Sequence, residues 1–195
     1  MGRDQRIEVP DGYYHVHTRG NNRRDIYFGN WSGRLFVSEL ERSTRRQGWR
    51  ILAYCLMRNH YHGVLQIGDG GLSNGMRDLN GRFAQMSNYH NNRRDHLFGQ
   101  RFKSHLIETE EYLLESIRYV LLNPVRAGIV SDPRHWRWSS MRATVGLALP
   151  SPCLDLAGLL EPFSRQPRRA TALFGQFVDA GIYPPCPVPG TVTGK

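Results

Sequence analysis

Lysine is almost missing from this 195-residue chain: Lys103 and Lys195 are the only examples among 26 basic residues, and the rest are arginine. The cationic surface is therefore built from planar guanidinium forks, which suit phosphates and guanine edges, rather than from point-charge ammonium groups. Cysteine is scarce as well. Cys55, Cys153 and Cys186 show no Cys-x-x-Cys spacing, which excludes a zinc ribbon and a disulfide framework and fits a reducing compartment. No apolar run is long enough to span a bilayer, and the opening MGRDQR has no apolar signal core. A soluble, cytoplasmic protein with no membrane partner is expected.

What is abundant is positive charge. The 26 basic residues outweigh 17 acidic ones, for a formal net charge of +9. That balance favours a polyanionic partner, nucleic acid first. Codon bias in a GC-rich genome also enriches arginine, so charge alone does not decide the partner. The length suits a single domain with an appended extension.

Residues 13–18, YYHVHT, are aromatic and β-branched and are closed by Arg19-Gly20-Asn21-Asn22, the pattern of a strand and a turn. Residues 31–47 fit a helix ending at Gly48. Two short apolar segments, 49–56 and 61–67, are joined by Met57-Arg58-Asn59 as a hairpin. Leu72, Met76, Leu79, Phe83 and Met86 recur at helical spacing. Residues 97–107 supply another strand, Thr109 caps a helix with Glu110 and Glu111 in its first turn, and Pro124 is expected to stop that helix. This order predicts an α+β protein: a ferredoxin-like antiparallel four-stranded sheet with helices packed on it. Residues 1–145 are expected to form the catalytic domain. Residues 146–195, with apolar clusters at 154–163 and 172–182 and the end PPCPVPG, read as a helical extension and a proline-rich tail. There are no internal repeats.

Two constellations carry chemistry. In the segment Asn59-His60-Tyr61-His62, residues two apart share one face of a strand, so His60 and His62 project together and can converge on one cation, while Tyr61 points into the packing side. A pair of histidines on a half-exposed strand has the same pattern without any metal. On the helix after Thr109, Leu113, Ile117, Val120 and Leu121 form one apolar stripe, and Tyr112, Ser116, Tyr119 and Asn123 form another. Tyr119 is thus placed to present its hydroxyl beside the core, although an amphipathic tyrosine covering the core's edge leaves the same trace. Arg19, Arg23 and Arg24 crowd the first turn, and Arg93, Arg94, Arg101 and Lys103 crowd the segment after the long helix; these are the candidate nucleic-acid contacts, about half of them expected to matter and the rest to be ordinary solvated charges. Trp136 and Trp138 either stack bases or plug a core edge.

Taken together, YYHVHTRGNNRRDIYF, AYCLMRNHYHGVL, LFGQRFKSHL, RYVLLNPVRAGIV and WRWSS resemble the REP-associated tyrosine transposases, relatives of the IS200/IS605 transposases among the HUH endonucleases. The resemblance implies a divalent metal, Mg²⁺ or Mn²⁺, on His60 and His62 with Asn123 completing the shell, where the insertion-sequence branch has Gln. It implies Tyr119 as the nucleophile that cleaves single-stranded DNA beside hairpins through a 5′-phosphotyrosine. A phenol ionises near pH 10, so a cation beside it or beside the phosphate is chemically required. A monomer or homodimer is expected. Two other readings stay open: a non-catalytic hairpin-binding regulator, and a metal-dependent phosphodiester hydrolase in which water attacks.

Overall fold

A computed structural model describes residues 8–68 and 71–182. Strand β1 (Tyr13–Arg19) alternates as its composition demands: Tyr14, Val16 and Thr18 are buried on one face, and Tyr13, His15, His17 and Arg19 lie on the other. Helix α1 (Asn30–Gln47) ends where Gly48 takes φ 67°, a left-handed cap that costs glycine nothing. Strands β2 (Arg50–Leu56) and β3 (His60–Gln66) pair antiparallel across the short turn, with Leu56 opposite Tyr61.

Helix α2 (Leu72–His90) buries Leu72, Met76, Leu79 and Phe83, but Met86 is 43% exposed and Ser87 is buried instead. A strict alternation of fours and threes drifts around a straight helix, so the last position rolls out of the seam. Strand β4 (Lys103–Ile107) is shorter than expected. Its upstream part bonds the turn after β1 instead, through Asn21 N to the Leu97 carbonyl at 2.8 Å.

Helix α3 (Glu110–Arg126) starts at Thr109, whose hydroxyl accepts from Tyr112 N at 3.2 Å, a cap worth about 1 kcal/mol. Pro124 does not stop it. So near the helix end a proline forfeits one backbone bond without derailing the chain. The stop comes at Gly128, with φ +66°, where Gly128 N reaches the Val125 carbonyl and Ile129 N reaches the Pro124 carbonyl, both at 2.9 Å. That is a Schellman closure, and it needs a residue free to adopt positive φ.

The four-stranded sheet has the order β2-β3-β1-β4, with every pairing antiparallel, the ferredoxin-like arrangement. On one face α1 and α2 pack Phe36, Leu40, Met76 and Phe83 against Tyr14, Val16, Tyr61 and Leu65. On the other face α3 packs Ile117, Val120 and Leu121 against Ala53, Cys55 and Val64. Beyond it come α4 (Met141–Thr144), α5 (Leu156–Leu160) and α6 (Pro167–Asp179). Leu159, Phe174 and Val178 join the core beneath α3, so the extension packs on the sheet domain. The proline-rich end lies outside the described residues. Among the described residues no helix is long and apolar enough to cross a membrane.

Trp136 donates its indole N–H to the Leu56 carbonyl and Trp138 donates to the Tyr27 hydroxyl, each at 2.8 Å, so both rings are tied into the core edge. Gly33 on α1 lies flat against Trp138, and a Cβ there would run into the tethered ring. Alanine gains about 1 kcal/mol of helix propensity over glycine, but overpacking costs typically 1–3 kcal/mol. Because three atoms of the Trp138 ring would overlap the added Cβ, the upper part of that cost applies; Gly33→Ala is expected to lose about 1–2 kcal/mol of stability by urea denaturation, and an unchanged midpoint would show that the Trp138 ring is free to move.

Candidate active site and nucleic-acid interface

The face of the sheet that α3 covers carries histidines from three strands. His60 and His62 lie on β3, His15 and His17 on β1, and His105 on β4. The register sets His17 opposite His62 and His15 opposite His105. Ring centroids are 5.1 Å apart for His15 and His62, 5.3 Å for His17 and His62, and 5.1 Å for His60 and His62. His15 and His62 are buried, and burial together with neighbouring histidines pushes His15 down to about 3 and His62 well below the ordinary imidazole value. His17, depressed by burial and by Lys103, lies at about 4. These imidazoles are neutral at physiological pH, the form that binds a metal.

Tyr119 reaches this cluster from α3. Its ring stands edge-on to His15 at 5.7 Å and to His62 at 5.5 Å, and no described residue hydrogen-bonds its hydroxyl. One turn on, Asn123 points its amide oxygen at His60 Nε2, 3.5 Å away, while its amide nitrogen donates to the Tyr119 carbonyl at 3.3 Å. Arg126, the next residue on this stripe, holds its guanidinium 4.9 Å from the centre of the Tyr119 ring. Its Nε and Nη1 are buried with no hydrogen-bond partner among the described residues.

The hydrogen bonds around His60 decide which of its nitrogens is free. Asn59 donates its amide nitrogen to the Arg23 carbonyl at 3.0 Å, which leaves its oxygen facing His60 Nδ1 at 2.7 Å. A neutral imidazole has one proton, and the shorter contact takes it, so His60 Nε2 presents a bare lone pair to the Asn123 oxygen, itself only an acceptor. Two acceptors facing each other at 3.5 Å are poorly matched alone and well matched to a cation. With His62, two imidazoles and an amide oxygen could hold a divalent cation and leave coordination positions open. His62 Nδ1 is 2.9 Å from His15 Nε2, so His15 orients the ring from behind. Among the described residues, no group of three or more His, Cys, Asp or Glu side chains is arranged to hold a metal ion.

The candidate DNA contacts separate. Arg19, Arg23, Arg101 and Lys103 line one cleft between the turn after β1 and the loop before β4. Arg24 and Arg93 instead pair with Asp95, at 3.0 and 2.9 Å, and Arg94 is exposed outside the cleft.

A profile described as "Transposase IS200 like" matches residues 8–121, more than half of the chain. The chain belongs to the IS200-like transposase family. The match takes in His60, His62 and Tyr119, while Asn123 and Arg126 lie beyond it. The fold of this IS200-like chain is also that of a solved REP-associated tyrosine transposase bound to a REP hairpin, with a TM-score of 0.65 and 20% identity over 80% of this chain and 93% of that one. A crystal structure from Deinococcus radiodurans R1, named as a candidate transposase, aligns with a TM-score of 0.42 and 13% identity over 62% of this chain and 94% of that one, too remote to inform the site. No curated protein matches the chain.

The sequence alone did not single out His15, His17, His105 or Arg126 for this candidate site. The signal was partly there. His15 and His17 repeat the two-residue spacing of His60 and His62, and Arg126 follows Tyr119 and Asn123 at helical spacing on the polar stripe.

Proposed function

We propose that this IS200-like transposase is a metal-dependent endonuclease and strand transferase acting on single-stranded DNA beside hairpins, with Tyr119 as nucleophile and His60, His62 and Asn123 as the holders of Mg²⁺ or Mn²⁺. The observation that carries this reading is the meeting, on one sheet face, of a phenol with no hydrogen-bond partner among the described residues and the pair His60 Nε2 and Asn123 Oδ1, which face each other 3.5 Å apart. The bound cation would polarise a nonbridging phosphate oxygen. Tyr119 Oη attacks phosphorus, the bond from phosphorus to the 3′ oxygen breaks, and the phenol's proton ends, through water, on the released 3′ oxygen. The 5′-phosphotyrosine so formed conserves the diester's energy, so a 3′-hydroxyl can reverse the step and join a new strand without ATP. The buried, free thiols of Cys55 and Cys153 suit a reducing cytoplasm.

The reading is tested by incubating the full chain with labelled single-stranded hairpins copied from the repeats flanking its gene, with Mg²⁺ or with a chelator, on a denaturing gel. A metal-dependent, gel-stable adduct is expected. Cleavage without an adduct would point to a hydrolase, and binding without cleavage to a regulator.

Asn59 supplies a subtler check, because it touches neither metal nor DNA phosphorus in this scheme. Outer partners of metal-bound histidines typically matter about 10–100-fold. Asn59→Ala should raise the Mg²⁺ concentration needed for half-maximal cleavage by about that factor, with the rate largely restored by excess metal. A lower rate at every Mg²⁺ concentration would mean that Asn59 acts elsewhere.

A further inference from the structure

The cleft beside the histidine cluster has a volume of about 570 Å³, in the range of sites that hold small ligands. Arg24, Arg58, Arg93 and Arg134 are all engaged by carboxylates. Arg19, Arg23, Arg101 and Lys103 make no ion pair among the described residues, and no acidic side chain lines the cleft they share. Such a concentration of like charge is self-repelling until an anion enters it.

The cleft also carries amides. Asn21, Asn22 and Gln100 line it, and the side chains of Asn22 and Gln100 are exposed. An amide presents a donor and an acceptor together, the pattern that matches a base edge. Asn22 and Arg23 are successive non-glycine residues at φ 51° and 59°, a left-handed pair that costs roughly 1 kcal/mol or more at each position. Their surroundings hold them there: Gly20 N bonds the Asn59 carbonyl at 2.8 Å, and Asn59 Nδ2 bonds the Arg23 carbonyl at 3.0 Å. Asn59 is also the residue that orients His60. One amide therefore ties the wall of the cleft to the candidate metal ligand, and His17 lines the cleft while stacking on His62.

We propose that this cleft binds one unpaired nucleotide of the substrate strand next to the scissile phosphate, its backbone phosphates on Arg19, Arg23, Arg101 and Lys103 and its base edge on Asn22 and Gln100. This rests on the single-stranded DNA reading above and makes the cleft a specificity site distinct from the chemistry at Tyr119. The strained turn fixes where the base sits. The unpaired cations supply affinity without sequence preference.

The test is equilibrium fluorescence anisotropy on full-length protein carrying Tyr119→Phe, so that DNA stays intact. The probe is a labelled hairpin from the flanking repeats with short single-stranded flanks, in which each flank nucleotide in turn is replaced by an abasic one. One position should show a penalty of about tenfold. In the double variant Asn22→Gly with Gln100→Ala that penalty should shrink to less than about twofold, while penalties elsewhere persist. Glycine keeps the left-handed turn, so misfolding is not an alternative explanation. Arg101→Ala should leave the penalty in place and flatten the slope of log affinity against log salt by about 0.7, one single-strand phosphate contact. Identical abasic penalties in the parent and the double variant overturn the cleft assignment and leave the strand-transfer reading standing. A flattened slope with no abasic penalty at any position shows a phosphate site alone and overturns the base-reading part. Failure of the parent to bind any hairpin overturns both.

Discussion

Tyr119→Phe should abolish both strand cleavage and the covalent adduct while changing hairpin affinity by less than about threefold. The substitution removes one oxygen. The ring keeps its edge contacts with His15 and His62 and its cover by Arg126. Tyr119 is partly buried and its hydroxyl has no hydrogen-bond partner among the described residues, so no buried group is orphaned and stability should hold. Loss of a nucleophile typically costs a thousandfold or more, roughly 4 kcal/mol of barrier. The decisive measurement is single-turnover cleavage of labelled hairpin at saturating protein. If the Tyr119→Phe variant still cuts at a tenth of the parent rate or faster, the nucleophile is another group, and water-driven hydrolysis becomes the better account. Tyr61 offers the internal contrast: it is buried in the opposite core, its hydroxyl is engaged by Asn80 and Thr18, and burial pushes its phenol up. Tyr61→Phe should cost stability rather than chemistry.

His60→Ala and His62→Ala should each reduce cleavage by at least about a hundredfold, and excess Mg²⁺ or Mn²⁺ should not restore it, because a donor atom is gone. The parent protein should be inactive in a chelator. His15→Ala should be milder, about 10–100-fold, and should be offset by added metal, since His15 orients His62 at 2.9 Å rather than joining the donor set. Metal titrations of single-turnover rates separate the two patterns. Full activity of the parent protein in a chelator would remove the metal from the mechanism altogether.

The elements of the fold are largely legible in the chain because their signals are local. The alternation of Tyr14, Val16 and Thr18, the helical recurrence of Leu72, Met76, Leu79 and Phe83, the glycine after Gln47 and the Thr109 cap each act within a few residues. Errors arose where a local rule met a competing one. Pro124 is a helix breaker in isolation, yet within a turn of the end the chain continues, and the termination depends on Gly128. Met86 fits the periodic list but lies where the seam has drifted away from the sheet.

The same division runs through the candidate site. His60 and His62 share a face because strand geometry puts residues two apart on one side, and Tyr119, Asn123 and Arg126 share a stripe because helix geometry does. Both facts belong to the sequence. That His15 lies behind His62, that Asn123 faces His60, and that Arg19, Arg23, Arg101 and Lys103 enclose one cleft while Arg24 and Arg93 are engaged by Asp95 were decided by the tertiary structure alone. These partners are separated by tens of residues. Their distances follow from the register in which β1 pairs with β3 and β4 and from the angle at which α3 crosses the sheet, and both are set by how the two cores fill rather than by any neighbour along the chain.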